Sequence, residues 1–122
     1  MPDSSRFEKF MRTYQRADVI FEQGSHGTEM YVIHSGKVSL AKNNAGGQVE
    51  VAKLGPGEFF GEMALVDNEP RSVGALADED ETRLISLDRD KFLYLVSHQP
   101  AFVLTIMQEL CQRIRKLHEQ PY

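Results

Sequence analysis

The chain has 122 residues, 41% hydrophobic and 26% charged, with no tryptophan and a formal net charge of −4. That length suits one domain, 1–122, able to bury about two-thirds of the surface its unfolded form exposes, and the pI near 5.5 argues against non-specific attachment to a nucleic-acid backbone. An anionic ligand therefore needs a local positive site. The one cysteine, Cys111, excludes an internal disulfide and suits a reducing compartment.

Ser5 and Glu8 stand at capping-box spacing, and Phe7, Phe10, Met11 and Tyr14 share a helical face, which predicts a helix over about 5–14. The start, Met1-Pro2-Asp3-Ser4-Ser5-Arg6, lacks the basic and hydrophobic stretches of a secretory signal, and no apolar run approaches a bilayer span. A cytoplasmic protein with no membrane contact is expected. Val19-Ile20-Phe21 reads as a strand closed by a turn around Gly24-Ser25-His26-Gly27, and Tyr31-Val32-Ile33 as the next. Gly36 interrupts the pattern before Val38 and Leu40 resume it, which suggests a bulge or a bend of the sheet.

Asn43-Asn44-Ala45-Gly46-Gly47 is a strong turn, with Val49, Val51 and Leu54 on the returning strand. Gly55-Pro56-Gly57 turns the chain again before Phe59-Phe60. Val73 to Ala77 and Thr82 to Leu87 read as a hairpin whose tip, Asp78-Glu79-Asp80-Glu81, is a solvated acidic loop. Short strands at this spacing, over about 15–87, imply a sandwich, jelly roll or small barrel. At Asp88 the period changes. Asp88 can cap a helix carrying Phe92, Leu95 and Val96, and Pro100 suits the first turn of another running to about His118, so that helices occupy about 88–119. On the second, Val103, Met107, Leu110, Ile114 and Leu117 keep a heptad spacing, which fits either packing on the β-body or a coiled-coil dimer.

The densest chemistry lies in Phe59-Phe60-Gly61-Glu62-Met63-Ala64-Leu65 and Glu69-Pro70-Arg71-Ser72. Gly61 admits a close backbone approach, and a helical turn begun at Glu62 leaves its first N–H groups free to face an anion. Arg71 offers a planar fork for two phosphate oxygens, and Ser72 can add a bond to phosphate or to a base edge. Ionised Glu62 is only an acceptor, suited to a sugar hydroxyl. Phosphate and ribose hydroxyl side by side describe a cyclic nucleotide; the bland alternative is that Glu62 and Arg71 form a surface ion pair or never meet.

Phe60-Gly61-Glu62-Met63-Ala64-Leu65 with Pro70-Arg71-Ser72 resembles the phosphate-binding cassette of cyclic nucleotide-binding domains, the family of the catabolite activator protein and of the regulatory subunits of cyclic-AMP-dependent protein kinase. Asp18 to Phe21, the Gly24 turn, Met30 to Ile33, Ser35 to Val38, Leu54 to Glu58, Phe92 and the Pro100 helix extend the resemblance over about 14–118. It implies a mainly β fold, an eight-stranded jelly roll with a helix before it and two after. It also implies that Glu62 binds the ribose 2′-hydroxyl and Arg71 the cyclic phosphate. Gly61, Met63 and Ala64 would line the cassette, Ser72 would help hold phosphate, and Val51 and Ala52 would wall the sugar and base. Leu117 is the matching position for a hydrophobic cap. Ser72 resembles the serine that accompanies cyclic AMP in the activator, which ranks cyclic AMP ahead of cyclic GMP.

The implied function is a regulatory sensor in signal transduction whose long helix shifts over the bound base. The chain ends at Gln120-Pro121-Tyr122 and is expected to stand without a DNA-binding domain, so its output would lie in an unknown effector protein or output domain, or in a homodimer through 100–119. The alternative is a fold that no longer binds nucleotide and serves as an interaction or dimerisation domain. His26, His34, His98 and His118 lack the paired spacing of a metal site, so no metal, cofactor or catalytic residue is expected. Cys111, near the seam, is expected to be buried.

Overall fold

Short apolar runs and alternating segments give way after Asp88 to apolar residues at helical spacing, and the computed structural model, which describes residues 10–67 and 69–118, follows that division. The strands are β1 (Met11–Tyr14), β2 (Val19–Phe21), β3 (Met30–Ser35), β4 (Val38–Asn44), β5 (Gly47–Leu54), β6 (Phe59–Phe60), β7 (Gly74–Ala77) and β8 (Thr82–Leu87). A short 3-10 turn, Glu62–Leu65, follows β6, and two helices, α1 (Arg89–His98) and α2 (Ala101–His118), close the described chain. The strands form two four-stranded antiparallel sheets, ordered β1-β8-β3-β6 and β2-β7-β4-β5. This is the expected jelly roll with C-terminal helices.

Strand β3 shows why the layers form. Its first four residues are all buried, and alternation sends them to opposite faces. Met30 and Val32 join Phe59, Ile85, Leu87, Leu95, Phe102 and Ile106 in a core beneath the helices. Tyr31 and Ile33 join Val38, Leu54, Phe60, Ala75 and Leu84 in a core between the sheets. Each large apolar side chain so buried contributes about 1.5–3 kcal/mol. The bend expected at Gly36 is where the chain passes from β3 in one sheet to β4 in the other.

The cap at Asp88 is formed, its carboxylate accepting from the Lys91 N–H at 2.8 Å. Helix α1 ends before Pro100, which cannot continue it, and α2 returns with Phe102 and Ile106 buried.

Several expectations are corrected. The helix over 5–14 falls partly on residues outside the described ones, but Met11–Tyr14 is a strand paired with β8. Met11 and Tyr14, three apart, would share a helical face, but in the strand they turn to opposite sides, one to each core, and the open edge of β8 pairs with it. Strands β7 and β8 are not a hairpin: β7 lies between β2 and β4, and β8 between β1 and β3. The acidic segment Asp78 to Glu81 carries the chain from one sheet to the other, its start fixed by the Asp78 N–H to the Lys37 carbonyl at 2.8 Å. Pairing β7 with β8 would displace a ladder in each sheet, since both edges of each strand are already taken.

Cys111 is exposed, because α2 rests on the roll through Phe102, Ile106 and Leu110 and one residue further turns about 100° away. Met107, Ile114 and Leu117 are likewise exposed, so of the heptad seam Leu110 packs on the roll while these three face away from it.

Candidate functional site

The site begins where β6 ends. The Phe60 ring stacks on Tyr31 at 5.3 Å between centroids and meets Phe21 at 5.9 Å, which anchors the chain inside the roll before it turns outward. Gly61 then adopts φ +75°, a left-handed conformation disfavoured for residues with a side chain. In the turn itself the Ala64 N–H donates to the Gly61 carbonyl at 3.2 Å, and the N–H groups of Val66 and Asp67 to the Met63 carbonyl at 3.0 Å. Leu65 is buried in the core beneath the helices. Its carbonyl accepts from Arg89 Nη2 at 2.7 Å and Nε at 3.1 Å. The turn is thus pinned from α1, while the N–H groups of Glu62 and Met63 have no acceptor within it.

Arg71 reaches the same place from the other direction. Its N–H donates to the Ser25 carbonyl, and its carbonyl accepts from the Gly24 N–H, both at 2.8 Å. Its guanidinium donates to the Gly61 carbonyl at 3.2 Å and the Glu29 carbonyl at 2.8 Å, and lies 4.1 Å over the Phe21 ring. Two glycines make the room. A Cβ on Gly27 would stand 2.3 Å from Nη2, and one on Gly61 2.7 Å from Nη1. Gly61 therefore admits the arginine, a role that its expected part as a ligand approach did not include.

Burial lowers the Arg71 pKa, against the pull of Tyr31, Glu29 and Glu62. Among the described residues no carboxylate lies within ion-pair distance of it, and its Nε is buried without a hydrogen-bond partner. A cation partly withdrawn from water, with carbonyls and a ring but no counter-ion, favours an anion beside it.

Glu62 does not pair with Arg71, so the surface ion pair considered from the sequence is absent. It pairs instead with Arg113 of α2 at 2.7 Å. Arg113 also donates to the Phe59 carbonyl and to Glu109 at 3.2 Å, and its guanidinium covers the Phe59 ring at 4.5 Å. Glu109 is pushed up by burial, with the Arg113 charge opposing. Sequence reasoning missed Arg113. The spacing of Glu109 and Arg113 signals a helix-surface pair, but no local pattern points across to Glu62.

These groups line one cavity of about 340 Å³ that includes Gly61, Glu62, Met63, Ala64, Arg71, Ser72, Leu40 and Arg113. Asp67 and Glu69 line it as well, so its positive character is confined to the two arginines. Val51 and Ala52 line a neighbouring cavity of about 490 Å³ between β5 and α2, with Glu109, Gln112 and Lys116. Leu40 and Arg113 are shared by both. Leu117 lines neither cavity and is 67% exposed. Among the described residues no three histidine, cysteine or acidic side chains cluster as metal ligands, and no helix is long and apolar enough to cross a membrane.

The model of the cyclic nucleotide-binding domain family matches residues 11–99. The chain is 42% identical over 106 residues to the cyclic AMP receptor protein of Thermus thermophilus, an alignment covering 86% of this chain and 49% of the relative. The human cGMP-dependent protein kinase 2 is 32% identical over 81 residues, 65% of this chain and 11% of the kinase. Among solved structures, the Thermus thermophilus catabolite activator protein superposes with a TM-score of 0.76 at 39% identity, over 88% of this chain and 51% of that one. The chain spans about half the length, or less, of these relatives.

Proposed function

We propose a function from one premise: the chain belongs to the cyclic nucleotide-binding domain family. It is a regulatory sensor, without enzymatic activity, that holds a cyclic nucleotide in the Arg71 cavity. Arg71 takes the cyclic phosphate, the Glu62 and Met63 N–H groups add donors, and Ser72 adds a hydroxyl. The Glu62 carboxylate accepts from the ribose 2′-hydroxyl. Sugar and base then extend past Leu40 into the cavity walled by Val51 and Ala52, under α2. The observation that carries this reading is Arg71: half-buried, aimed at the turn, and without a carboxylate partner among the described residues.

Cyclic AMP ranks ahead of cyclic GMP, on the likeness of Ser72 to the serine of cyclic-AMP-responsive relatives. Arg113 supplies a route outward. It holds α2 to Glu62, so a hydroxyl arriving at Glu62 changes the contacts that seat the helix. The shift is passed to an effector protein or output domain, or across a homodimer through α2, in the cytoplasm and without direct contact to nucleic acid. Titration calorimetry with cyclic AMP and cyclic GMP in parallel tests the site. Arg71→Leu should cost about 2–5 kcal/mol of binding, and equal affinity in the variant and the parent chain overturns the assignment.

One observation favours the alternative of an interaction domain. Leu104, Met107, Ile114 and Leu117 are more than half exposed along α2, a face suited to a second copy. Sedimentation separates the readings: a chain that dimerises yet binds neither nucleotide at millimolar concentration is an interaction domain.

A further inference from the structure

We infer that Glu29 is a positioning residue for Arg71, which ties the edge strand β1 and the interior of β8 to the anion-facing guanidinium. The inference rests on Arg71 as the phosphate clamp. Glu29 immediately precedes β3, and it is attached at both ends. Its main-chain carbonyl accepts from Arg71 Nη2 at 2.8 Å. Its carboxylate accepts from the Ser86 hydroxyl on β8 and from Arg12 Nη2 on β1 at 3.2 Å, with the Tyr31 hydroxyl at 3.5 Å. Three carboxylate contacts, one each to β1, β3 and β8, therefore fix the residue whose carbonyl aims Arg71.

Packing alone does not call for this arrangement. Ser86 is fully buried and stands opposite Tyr31 in the ladder. A carboxylate reaching such a site must be hydrogen-bonded to be tolerated, and an apolar pair would fill the space with nothing to satisfy. The outer end of the chain of contacts, Arg12, is half exposed on β1, an edge strand. Pulling β1 from β8 would take Arg12 off Glu29 and loosen the clamp, a route from the outside to the site that does not pass through α2.

The test uses the full chain and cyclic AMP. Glu29→Ala and Ser86→Ala should each weaken binding roughly tenfold, the scale of coupling between contacting residues. Glu29→Gln, which keeps an acceptor for Ser86, should stay closer to the parent chain. In an Arg71→Leu background Glu29→Ala should add no further loss. A loss of the same size in both backgrounds means that Glu29 is merely structural, and no loss in either overturns the inference while leaving the phosphate clamp intact. If Arg71→Leu itself leaves affinity unchanged, the clamp falls and the inference with it.

A second readout needs no nucleotide. The buried Arg71 Nε–H should give a resolved NMR signal, assigned by its loss in Arg71→Leu. It should move in Glu29→Ala, Ser86→Ala and Arg12→Ala while core methyl signals stay in place. A signal unmoved by all three overturns the inference.

Discussion

Arg113 on α2 and Glu62 in the turn beneath it meet at 2.7 Å, and this pair is what fastens the long helix to the candidate site. The same guanidinium covers Phe59 and bonds its carbonyl, so one side chain serves the turn, the strand before it and Glu109 of its own helix. Arg113→Ala should lower stability to urea by about 1–3 kcal/mol, because Glu62 and the Phe59 carbonyl are left without their donor. Arg113→Lys should recover only part of the loss, since an ammonium cannot present the same planar fork. Equal stability of the alanine variant and the parent chain would show that α2 is held elsewhere.

The glycines beside Arg71 allow position to be separated from charge. A methyl on Gly27 would stand 2.3 Å from Nη2, so Gly27→Ala must displace the guanidinium while leaving its charge in place. Cyclic nucleotide affinity should fall roughly tenfold, with folding stability changed by less than about 1 kcal/mol, as for most substitutions outside the core. Gly61→Ala should be worse on both counts. It meets Nη1 and also puts a side chain at φ +75°, which costs about 1–2 kcal/mol. Parallel calorimetry and urea titration measure the two quantities, and a Gly27→Ala chain that binds like its parent would show that the aim of Arg71 does not matter.

The cassette was legible because its chemistry is local: Gly61, Glu62, Arg71 and Ser72 lie within a dozen residues and line one cavity. Most strands were legible from short apolar runs or alternation, β1 excepted, and Asp88 from its capping chemistry. Pairing was not. The sequence of β7 and β8 is that of a hairpin, and only the competing edges of β2, β4, β1 and β3 place them in different sheets. Long-range polar contacts leave no local trace either, which is why Arg113 and Glu29 emerge only from the fold. The heptad spacing on α2 left its facing side open, and the fold divides it: Leu110 packs beside Phe102 and Ile106, while Met107, Ile114 and Leu117 are exposed.

Glu109 gives a pH dependence with a definite sign. Burial pushes its carboxyl up, with Arg113 and the Phe59 N–H opposing. An acid whose pKa is higher in the fold than in the unfolded chain binds more protons when folded. Its contribution is fully present below the unfolded pKa and is lost as pH rises through the folded value. Glu109→Gln cannot titrate. The stability of the parent chain relative to this variant should therefore decline as pH rises upward from the carboxylate range, about pH 4. Urea midpoints of both chains across that interval measure the difference, in which carboxylates remote from Glu109 cancel and the coupled Glu58 and Glu62 remain part of the effect. A flat or rising difference would mean that Arg113 outweighs burial.

The orientation of α2 can be tested residue by residue. Ile106 is buried at 8% exposure in the core under the helices, whereas its neighbour Met107 is 54% exposed. Ile106→Ala should cost about 2–5 kcal/mol, the transfer term plus the cavity it leaves. Met107→Ala should cost well under about 1 kcal/mol in the monomer. The same variants probe association. If a second copy covers the exposed face, Met107→Glu and Ile114→Glu should abolish the dimer in sedimentation while leaving the fold and cyclic nucleotide affinity intact, because neither residue lines the Arg71 cavity. A dimer that survives both charges would place its contacts off this face of α2.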